Sequence, residues 1–176
     1  TDNGTFYVGN EIILADDDNL TGVAVVIAGS TLSTATKLSS FGNDSLCNVA
    51  STRYILYKTQ TLFRDTNLSN DTSVDSQIIS VQVGKEPLDN LKDPNIISFD
   101  ILSGKSADSN GEAKCVFWDF DTYDGEGGWS GQDCTTSRSG VMGRRIVCRC
   151  NHLTNFAVLF TRKDSTEEAL KYISII

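Results

Sequence analysis

The sequence predicts an all-β fold in which two sheets pack as a sandwich. Short runs rich in β-branched and aromatic residues recur along the chain, and loops of Ser, Asn, Asp and Gly separate them. Helical patterns are few, and only 2 prolines and no repeat period occur, which argues against solenoids. The chain has 176 residues, enough for one domain with a hydrophobic core. Recurring short strands with few helices are typical of a sandwich.

The predicted strands lie between residues 22 and 160. Six of them are GVAVVIA (22–28), RYILYK (53–58), QIISVQV (77–83), NIISFDIL (95–102), CVFWDF (115–120) and RRIVCRC (144–150). The seventh run, TNFAVLF (154–160), places Thr154, Phe156, Val158 and Phe160 on one face and Asn155, Ala157 and Leu159 on the other. Both of its faces are mainly apolar, which indicates a strand buried on both sides.

The C-terminal segment DSTEEALKYISII predicts one helix. Ser165 and Glu168 have the spacing of a capping box, and the apolar content rises toward the end. The apolar stretch is shorter than the about 20 residues that a membrane span needs. The segment is therefore either an amphipathic terminal helix or the approach to a membrane-spanning helix.

The chain is acidic, with a formal net charge of −8 and an isoelectric point near 4.5. Nucleic acid and anionic membranes repel such a chain unless it has a local basic patch, and its basic residues are scattered. We therefore expect no nucleic-acid partner. The acidic loop DFDTYDGEGG could suggest calcium, but it lacks the spacing of an EF-hand. We interpret it as a solvated loop and expect neither a metal site nor a cofactor.

Two features predict an extracellular chain. Five Asn-x-Ser/Thr sequons, which also arise by chance in Ser- and Thr-rich sequences, stand at Asn3, Asn19, Asn43, Asn67 and Asn70. Four cysteines, Cys115, Cys134, Cys148 and Cys150, fall within 36 residues beside a single histidine. This cluster favours disulfides over a zinc site, because the paired CxxC spacing of zinc sites is absent. Cys47 is left over, either as a free thiol or as half of a bond to a cysteine outside this sequence.

The only histidine, His152, stands two residues before Thr154 at the entrance to the seventh run. Near neutral pH an imidazole can take the proton of a hydroxyl, and an activated threonine hydroxyl is a nucleophile. In a sharp turn the hydroxyl would attack the carbonyl of Leu153, giving an N-to-O acyl shift that water completes by hydrolysing the ester. Backbone strain at the turn would favour the shift. The three residues alone are weak support, since a lone histidine is more often structural.

From Cys115 onward, the segments CVFWDF, GGWSGQDC and CRCNHLTNFAVLF resemble the proteolysis-site (GPS) motif of adhesion G-protein-coupled receptors, which ends their autoproteolysis-inducing (GAIN) domain. The resemblance is strong over residues 115–160, looser over about 74–114, and without motif support before that. Two departures stand out. Asp133 occupies a position where the family usually has glycine, and residues 1–73 show no run of amphipathic helices, where the family has a helical subdomain.

The resemblance implies a twisted β-sandwich over residues 1–160, with the GPS motif at 115–160 and a linker at 161–176 toward a first transmembrane helix. It implies disulfides that join Cys115 to Cys148 and Cys134 to Cys150. It also implies autoproteolysis between Leu153 and Thr154, once per molecule and without a cofactor, with His152 as general base and Thr154 as nucleophile. Trp118 and Trp129 are expected to be core residues packed against the disulfides.

The resemblance further implies that residues 154–160 stay bound after cleavage as a tethered agonist for the seven-helix bundle of the receptor. The domain would then lie on the outside of the plasma membrane and respond to an extracellular ligand whose chemistry the sequence does not specify. Two alternatives remain open. The domain could be a non-cleaving structural and adhesion module of the same fold, or the GPS-containing domain of a polycystin-type channel protein.

Overall fold

The structure is a computed structural model that describes residues 5–8, 11–16, 19–26, 52–57, 59–85, 87–102, 111–140 and 143–163. Twelve strands occur in this part of the chain: β1 (Thr5–Val8), β2 (Glu11–Asp16), β3 (Asn19–Val26), β4 (Thr52–Tyr57), β5 (Thr72–Val74), β6 (Ile78–Val83), β7 (Asn95–Asp100), β8 (Gly111–Asp119), β9 (Gly128–Ser130), β10 (Cys134–Ser139), β11 (Arg145–Cys150) and β12 (Asn155–Arg162). Its single short helix is a 3-10 turn at Tyr123–Gly125. The predicted C-terminal helix and Cys47 lie outside the described residues.

The strands form two antiparallel sheets, and the predicted all-β sandwich is confirmed. The first sheet has the order β1-β2-β3-β7-β11-β10. The second has the order β4-β6-β12-β8-β9, and β5 also pairs with β12. All seven predicted runs are strands, with limits that differ from the prediction by at most a few residues. The last strand in the sequence, β12, therefore lies in the interior of the second sheet.

Five strands are not among the predicted runs. β5 and β9 have 3 residues each, too few for a period-two pattern to be recognised. β10 reads CTTSRS and is largely exposed, so it has no apolar alternation. β1 (TFYV) and β2 (EIILAD) do contain β-branched and aromatic residues, and this signal could have predicted them.

The main core lies between the two sheets. The first sheet contributes residues of β3, β7 and β11, and the second contributes residues of β6, β8 and β12. The bulkiest fully buried members are Phe99, Phe156, Ile79, Ile97 and Ile146. Because side chains alternate along a strand, every second residue of these strands points into this layer.

A second cluster covers the opposite face of the second sheet, and we call it the outer cluster. It consists of Phe63, Ile78, Val116, Trp118, Ala157 and Leu159, with Trp129 packed against it. Phe63 comes from the loop between β4 and β5, and its ring centroid lies 5.6 Å from that of Trp118 and 5.9 Å from that of Trp129. This loop therefore covers part of the outer face of the sheet.

The outer cluster corrects the expectation for the tryptophans. Trp118 and Trp129 pair with each other across β8 and β9, with ring centroids 5.2 Å apart, and belong to the outer cluster instead of packing on the disulfides. The reason is the period of the strand. Trp118 is three residues after Cys115 in β8, so the two side chains point to opposite faces of the sheet.

The two disulfides implied by the resemblance are present. Cys115–Cys148 joins β8 to β11 and therefore links the two sheets. Cys134–Cys150 joins directly opposed residues of the neighbouring strands β10 and β11. Each bond typically adds about 2–4 kcal/mol to the free energy of unfolding. Both bonds hold β11 at its C-terminal half, immediately before the His-Leu-Thr segment.

Candidate functional site

The predicted site residues lie in a bend, Asn151–Thr154, that connects β11 to β12. The chain bends at Asn151, His152 and Thr154, and the two ends of the bend are hydrogen-bonded. The amide of Asn151 donates to the carbonyl oxygen of Asp133 at 3.4 Å, and the amide of Val81 donates to the carbonyl oxygen of Thr154 at 2.9 Å. No residue of the bend has a positive φ. The backbone strain expected at the bend therefore does not come from a residue in the left-handed conformation.

Asp133, which departs from the family pattern, has a φ of 56°. This left-handed conformation is one that glycine adopts without steric cost, which agrees with the glycine expected here from the resemblance. Aspartate is among the few other residues that enter this region readily. The substitution thus keeps the turn that precedes β10 and its contact with the bend.

His152 is buried, with 8% of its surface exposed, between two aromatic rings. Its ring meets that of Phe117 edge to face at a centroid distance of 4.3 Å, and the ring of Phe156 is 5.4 Å away. Its Nε2 is buried and has no hydrogen-bond partner among the described residues. The imidazole is thus held in place by packing and retains an unused nitrogen.

Burial also lowers the pKa of His152 below its ordinary value of 6.5, because a charged imidazolium is poorly solvated there. The carboxylates of Asp89 and Asp133 act in the opposite direction and raise the pKa. Burial is the larger effect, so the ring is neutral at pH 7. A neutral imidazole is the form that can accept a proton.

An open cleft of about 490 Å³ contains all three predicted site residues. His152, Leu153 and Thr154 line it together, and Asp89 lies at its wall. Leu153 is buried, and Thr154 is half-buried. The cleft therefore holds a base, a hydroxyl and a carbonyl-bearing residue where water can enter. Within the described ranges, no three His, Cys, Asp or Glu side chains are grouped so that they could hold a metal ion.

The strand that follows the bend is buried on both faces, as its pattern predicts. Phe156 and Val158 belong to the main core, and Ala157 and Leu159 belong to the outer cluster. β12 pairs with β8 over Phe156–Arg162 and on its other side with β6 and β5. It continues to Arg162, two residues beyond the predicted end, and its last two residues are exposed.

Ser76 completes the hydrogen bonding of β12, a role that the sequence did not predict. β5 and β6 both pair with β12, but the residues between these two strands do not continue the ladder. There the hydroxyl of Ser76 accepts a hydrogen bond from the amide of Val158 at 2.8 Å. The amide of Asp75 donates to the carbonyl oxygen of Val158 at 2.8 Å. Ser76 is 1% exposed, and its hydroxyl in turn donates to the carbonyl oxygen of Gln77 at 2.8 Å. A side chain thus completes the ladder beside the centre of β12.

We expect Ser76→Ala to lower the free energy of unfolding by about 1–3 kcal/mol, because it leaves the buried amide of Val158 without its acceptor. Chemical denaturation measures this change, and hydrogen exchange of the Val158 amide should accelerate. Ser73→Ala is the matched control, since Ser73 is exposed in the adjacent strand β5. Equal unfolding midpoints for the two variants would contradict this role of Ser76.

The sequon asparagines are only partly within the described residues. Asn67 and Asn70 are exposed in the loop between β4 and β5, and Asn19 is the first residue of β3. Asn3 and Asn43 lie outside the described residues. Also within the described part of the chain, no helix has the length and apolar character needed to cross a bilayer.

These features define a class of domain: a β-sandwich with two disulfides on its penultimate strand and a His-Leu-Thr bend before a last strand whose first six residues are buried. The family model described as GPS, GAIN subdomain B, matches residues 6–164. The chain therefore belongs to the GAIN subdomain B family and carries its GPS motif. It is a GAIN/GPS domain of the kind found in the extracellular regions of adhesion G-protein-coupled receptors.

Individual relatives agree with this assignment. Adhesion G-protein coupled receptor G4 of Mus musculus is 35% identical over 113 residues, which cover 61% of this chain and 4% of the receptor. Adhesion G-protein coupled receptor G6 of Danio rerio is 31% identical over 144 residues, which cover 82% of this chain and 11% of the receptor. The full extracellular region of zebrafish Gpr126/Adgrg6 has the same fold, with a TM-score of 0.52 at 22% identity, over 84% of this chain and 23% of that chain.

Proposed function

We propose that this domain cleaves its own chain between Leu153 and Thr154 and keeps the severed strand in place. The observation that carries the proposal is the buried Nε2 of His152, unpartnered among the described residues, in the cleft that Leu153 and Thr154 also line. Nucleophilic catalysis requires a neutral base and a hydroxyl in one site, and both residues line this cleft. The relatives are adhesion receptors, which favours a receptor over a polycystin-type channel protein.

The reaction has two steps. First, His152 takes the proton of the Thr154 hydroxyl, and the oxygen attacks the carbonyl carbon of Leu153. The bond from that carbon to the Thr154 nitrogen breaks, the nitrogen leaves as an amine with the proton from the imidazolium, and an ester joins the two residues. Second, water hydrolyses the ester, which gives the Leu153 carboxylate and restores the Thr154 hydroxyl. The reaction occurs once per molecule and uses no metal or cofactor.

Positioning supplies the rate enhancement in this proposal. Fixing a nucleophile, a base and a carbonyl in one geometry removes the entropy cost of bringing them together, an effect of up to about 7–11 kcal/mol in well-oriented systems. The disulfides of β11, the ladder of β12 and the packing of His152 against Phe117 all serve this purpose.

We further propose that the strand beginning at Thr154 is retained as a tethered agonist. Its ladder to β8 and its burial in two clusters support retention, because withdrawal would expose both apolar faces at once. In the whole receptor, residues 1–160 would form the domain outside the plasma membrane, glycosylated at its sequons, and residues 161–176 would link it to the first membrane-spanning helix. The released strand would then bind the seven-helix bundle when an extracellular ligand or force withdraws it.

N-terminal sequencing of the secreted protein tests the cleavage. A small fragment that begins Thr-Asn-Phe-Ala supports the proposal, because only a cut after Leu153 gives that end. A chain that remains whole would instead favour the alternative, a structural and adhesion module in which β12 is shielded without being cut.

The rate of the proposed cleavage should fall in acid with a midpoint below pH 6.5, because the pKa of His152 is lowered and its protonated form cannot act as a base. Asp89 raises this pKa, so Asp89→Asn should move the midpoint to still lower pH. Newly synthesised chain transferred to a pH series measures both effects. Asp121→Asn, in the same cleft, is the control and should leave the midpoint unchanged.

The stability of the fold should also decrease in acid, as the cleavage rate does. The pKa of His152 is lower in the folded state than in the unfolded state. The neutral ring therefore makes its full contribution to the free energy of unfolding above about pH 6.5, and this contribution is lost as the pH falls through the folded-state pKa. Unfolding midpoints must therefore be measured in parallel. A rate that is independent of pH while the fold is intact would contradict the role of His152 as base.

A further inference from the structure

The geometry points to a further part of the cleavage machinery: the segment Pro87–Leu91, between β6 and β7, is a backbone clamp that positions the bend, and Asn90 is the positioning residue that shapes it. This inference rests on the proposed function. Two hydrogen bonds carry it. The amide of Leu153 donates to the carbonyl oxygen of Leu88 at 2.9 Å, and the amide of Leu91 donates to the carbonyl oxygen of Asn151 at 2.7 Å.

The two bonds hold the bend on either side of His152. One fixes the peptide group before Leu153, and the other fixes the peptide group after Asn151. The amide of Val81 holds the carbonyl of Thr154 at 2.9 Å. The proposed scissile peptide, between Leu153 and Thr154, is therefore flanked by peptide groups that are both hydrogen-bonded. Its carbonyl carbon is restricted to a narrow range of orientations, which is what attack by a neighbouring hydroxyl requires.

The clamp is anchored in the main core. Leu88 is 4% exposed and belongs to the same cluster as Leu153 and Cys150. The side chain of Leu88 thus ties its own carbonyl to the core that surrounds the bend. By contrast, Asp89 and Asn90, which connect the two hydrogen-bonding residues, are exposed.

Asn90 has a φ of 52°, the only positive φ among the described residues of the connection between β6 and β7 apart from Gly84. A left-handed residue reverses the chain locally, so that the Leu88 carbonyl and the Leu91 amide both face the bend. Asparagine and glycine enter this region readily, whereas β-branched residues do so at a high steric cost. Because the Asn90 side chain is exposed, a substitution there changes the backbone preference with little change in packing.

The test compares Asn90→Val with Asn90→Gly in the whole chain, followed by pulse-chase and denaturing electrophoresis. We expect Asn90→Val to slow cleavage about tenfold or more, which corresponds to about 1.4 kcal/mol or more in the activation free energy, because valine disfavours the left-handed conformation that shapes the clamp. Asn90→Gly should cleave at the rate of the unaltered chain, since glycine enters the same conformation without steric cost. Asp124→Val is the matched control, because Asp124 is also exposed and has a φ of 56° in the 3-10 turn, outside the clamp. It should cleave at the unaltered rate.

Two further readouts separate positioning from general destabilisation. The thermal unfolding midpoints of Asn90→Val and Asp124→Val should be similar, while only the first variant cleaves slowly. Hydroxylamine, which cleaves esters, should not restore the rate of Asn90→Val, because the clamp acts before the ester forms. If Asn90→Val is not secreted, Asn90→Ala is used, with a smaller slowing expected.

Cleavage of Asn90→Val or Asn90→Ala at the unaltered rate would overturn the clamp and leave the proposed function standing. Slowing of Asn90→Val and Asp124→Val to the same degree would also overturn it. Absence of cleavage in the unaltered chain would refute the proposed function, and the clamp with it.

Discussion

Thr154→Gly is expected to leave the chain in one piece, and so is His152→Ser. The first variant removes the only hydroxyl that the proposed reaction can use, and the second removes the base that accepts its proton. Both residues lie in the bend outside the strand ladders, so the pairing of β12 with β8 persists in either variant. Denaturing electrophoresis of the secreted proteins should show a single band of full length, whereas the unaltered chain is expected to give two.

The matched control for the nucleophile is Thr154→Ser, which keeps a hydroxyl at the same position and should still be cleaved. Thr154→Gly also changes the backbone, so the serine variant shows whether the hydroxyl itself is responsible. Circular dichroism and unfolding midpoints of all three variants establish that they are folded. Two bands from Thr154→Gly would show that a different protease makes the cut, and the self-cleavage mechanism would then be wrong.

Phe63→Ala is expected to have the largest effect on stability, lowering the free energy of unfolding by about 3–5 kcal/mol. Phe63 is 6% exposed and contacts the rings of Tyr57, Trp118 and Trp129, so its removal leaves a cavity at the centre of the outer cluster. The neighbouring Leu62 is 73% exposed, and Leu62→Ala should change the free energy by no more than about 0.5 kcal/mol. Chemical denaturation of the two variants measures the difference.

The same variant tests the proposed retention of the severed strand. Phe63 lies in the outer cluster with Ala157 and Leu159, the outward residues of β12. Without this cover, the fragment that begins at Thr154 should dissociate faster under native conditions than it does from the Leu62→Ala protein. Equal dissociation rates would show that the outer cluster has no part in retention and that the main core and the ladder suffice.

The features that could be predicted from the sequence are local ones. The two apolar faces of TNFAVLF predicted the burial of β12, and the clustered cysteines predicted disulfides. The resemblance implied which cysteines pair, and it also drew attention to the His-Leu-Thr segment. Each of these features depends on a short stretch whose periodicity or spacing can be recognised without knowledge of the neighbours.

The features that the sequence did not reveal depend on contacts between distant segments. Nothing in the run DSQIISVQV indicates that the hydroxyl of Ser76 completes the ladder of β12, because that role exists only where β5 and β6 separate. The cover that Phe63 provides depends likewise on the fold of a loop. The partial burial of Phe117 could have been predicted, since it shares a strand face with Cys115. Its contact with His152 could not, because it depends on the bend lying over β8 in the folded chain.

Mass spectrometry of the secreted, unaltered chain under native and denaturing conditions tests the central claim most directly. A cut after Leu153 that leaves the strand in place predicts one species in the native measurement, with the mass of the intact chain plus one water. The denaturing measurement should then give two masses, one for residues 1–153 and one for residues 154–176, apart from any glycans. A single full-length mass under denaturing conditions would contradict cleavage, and loss of the smaller fragment under native conditions would contradict retention.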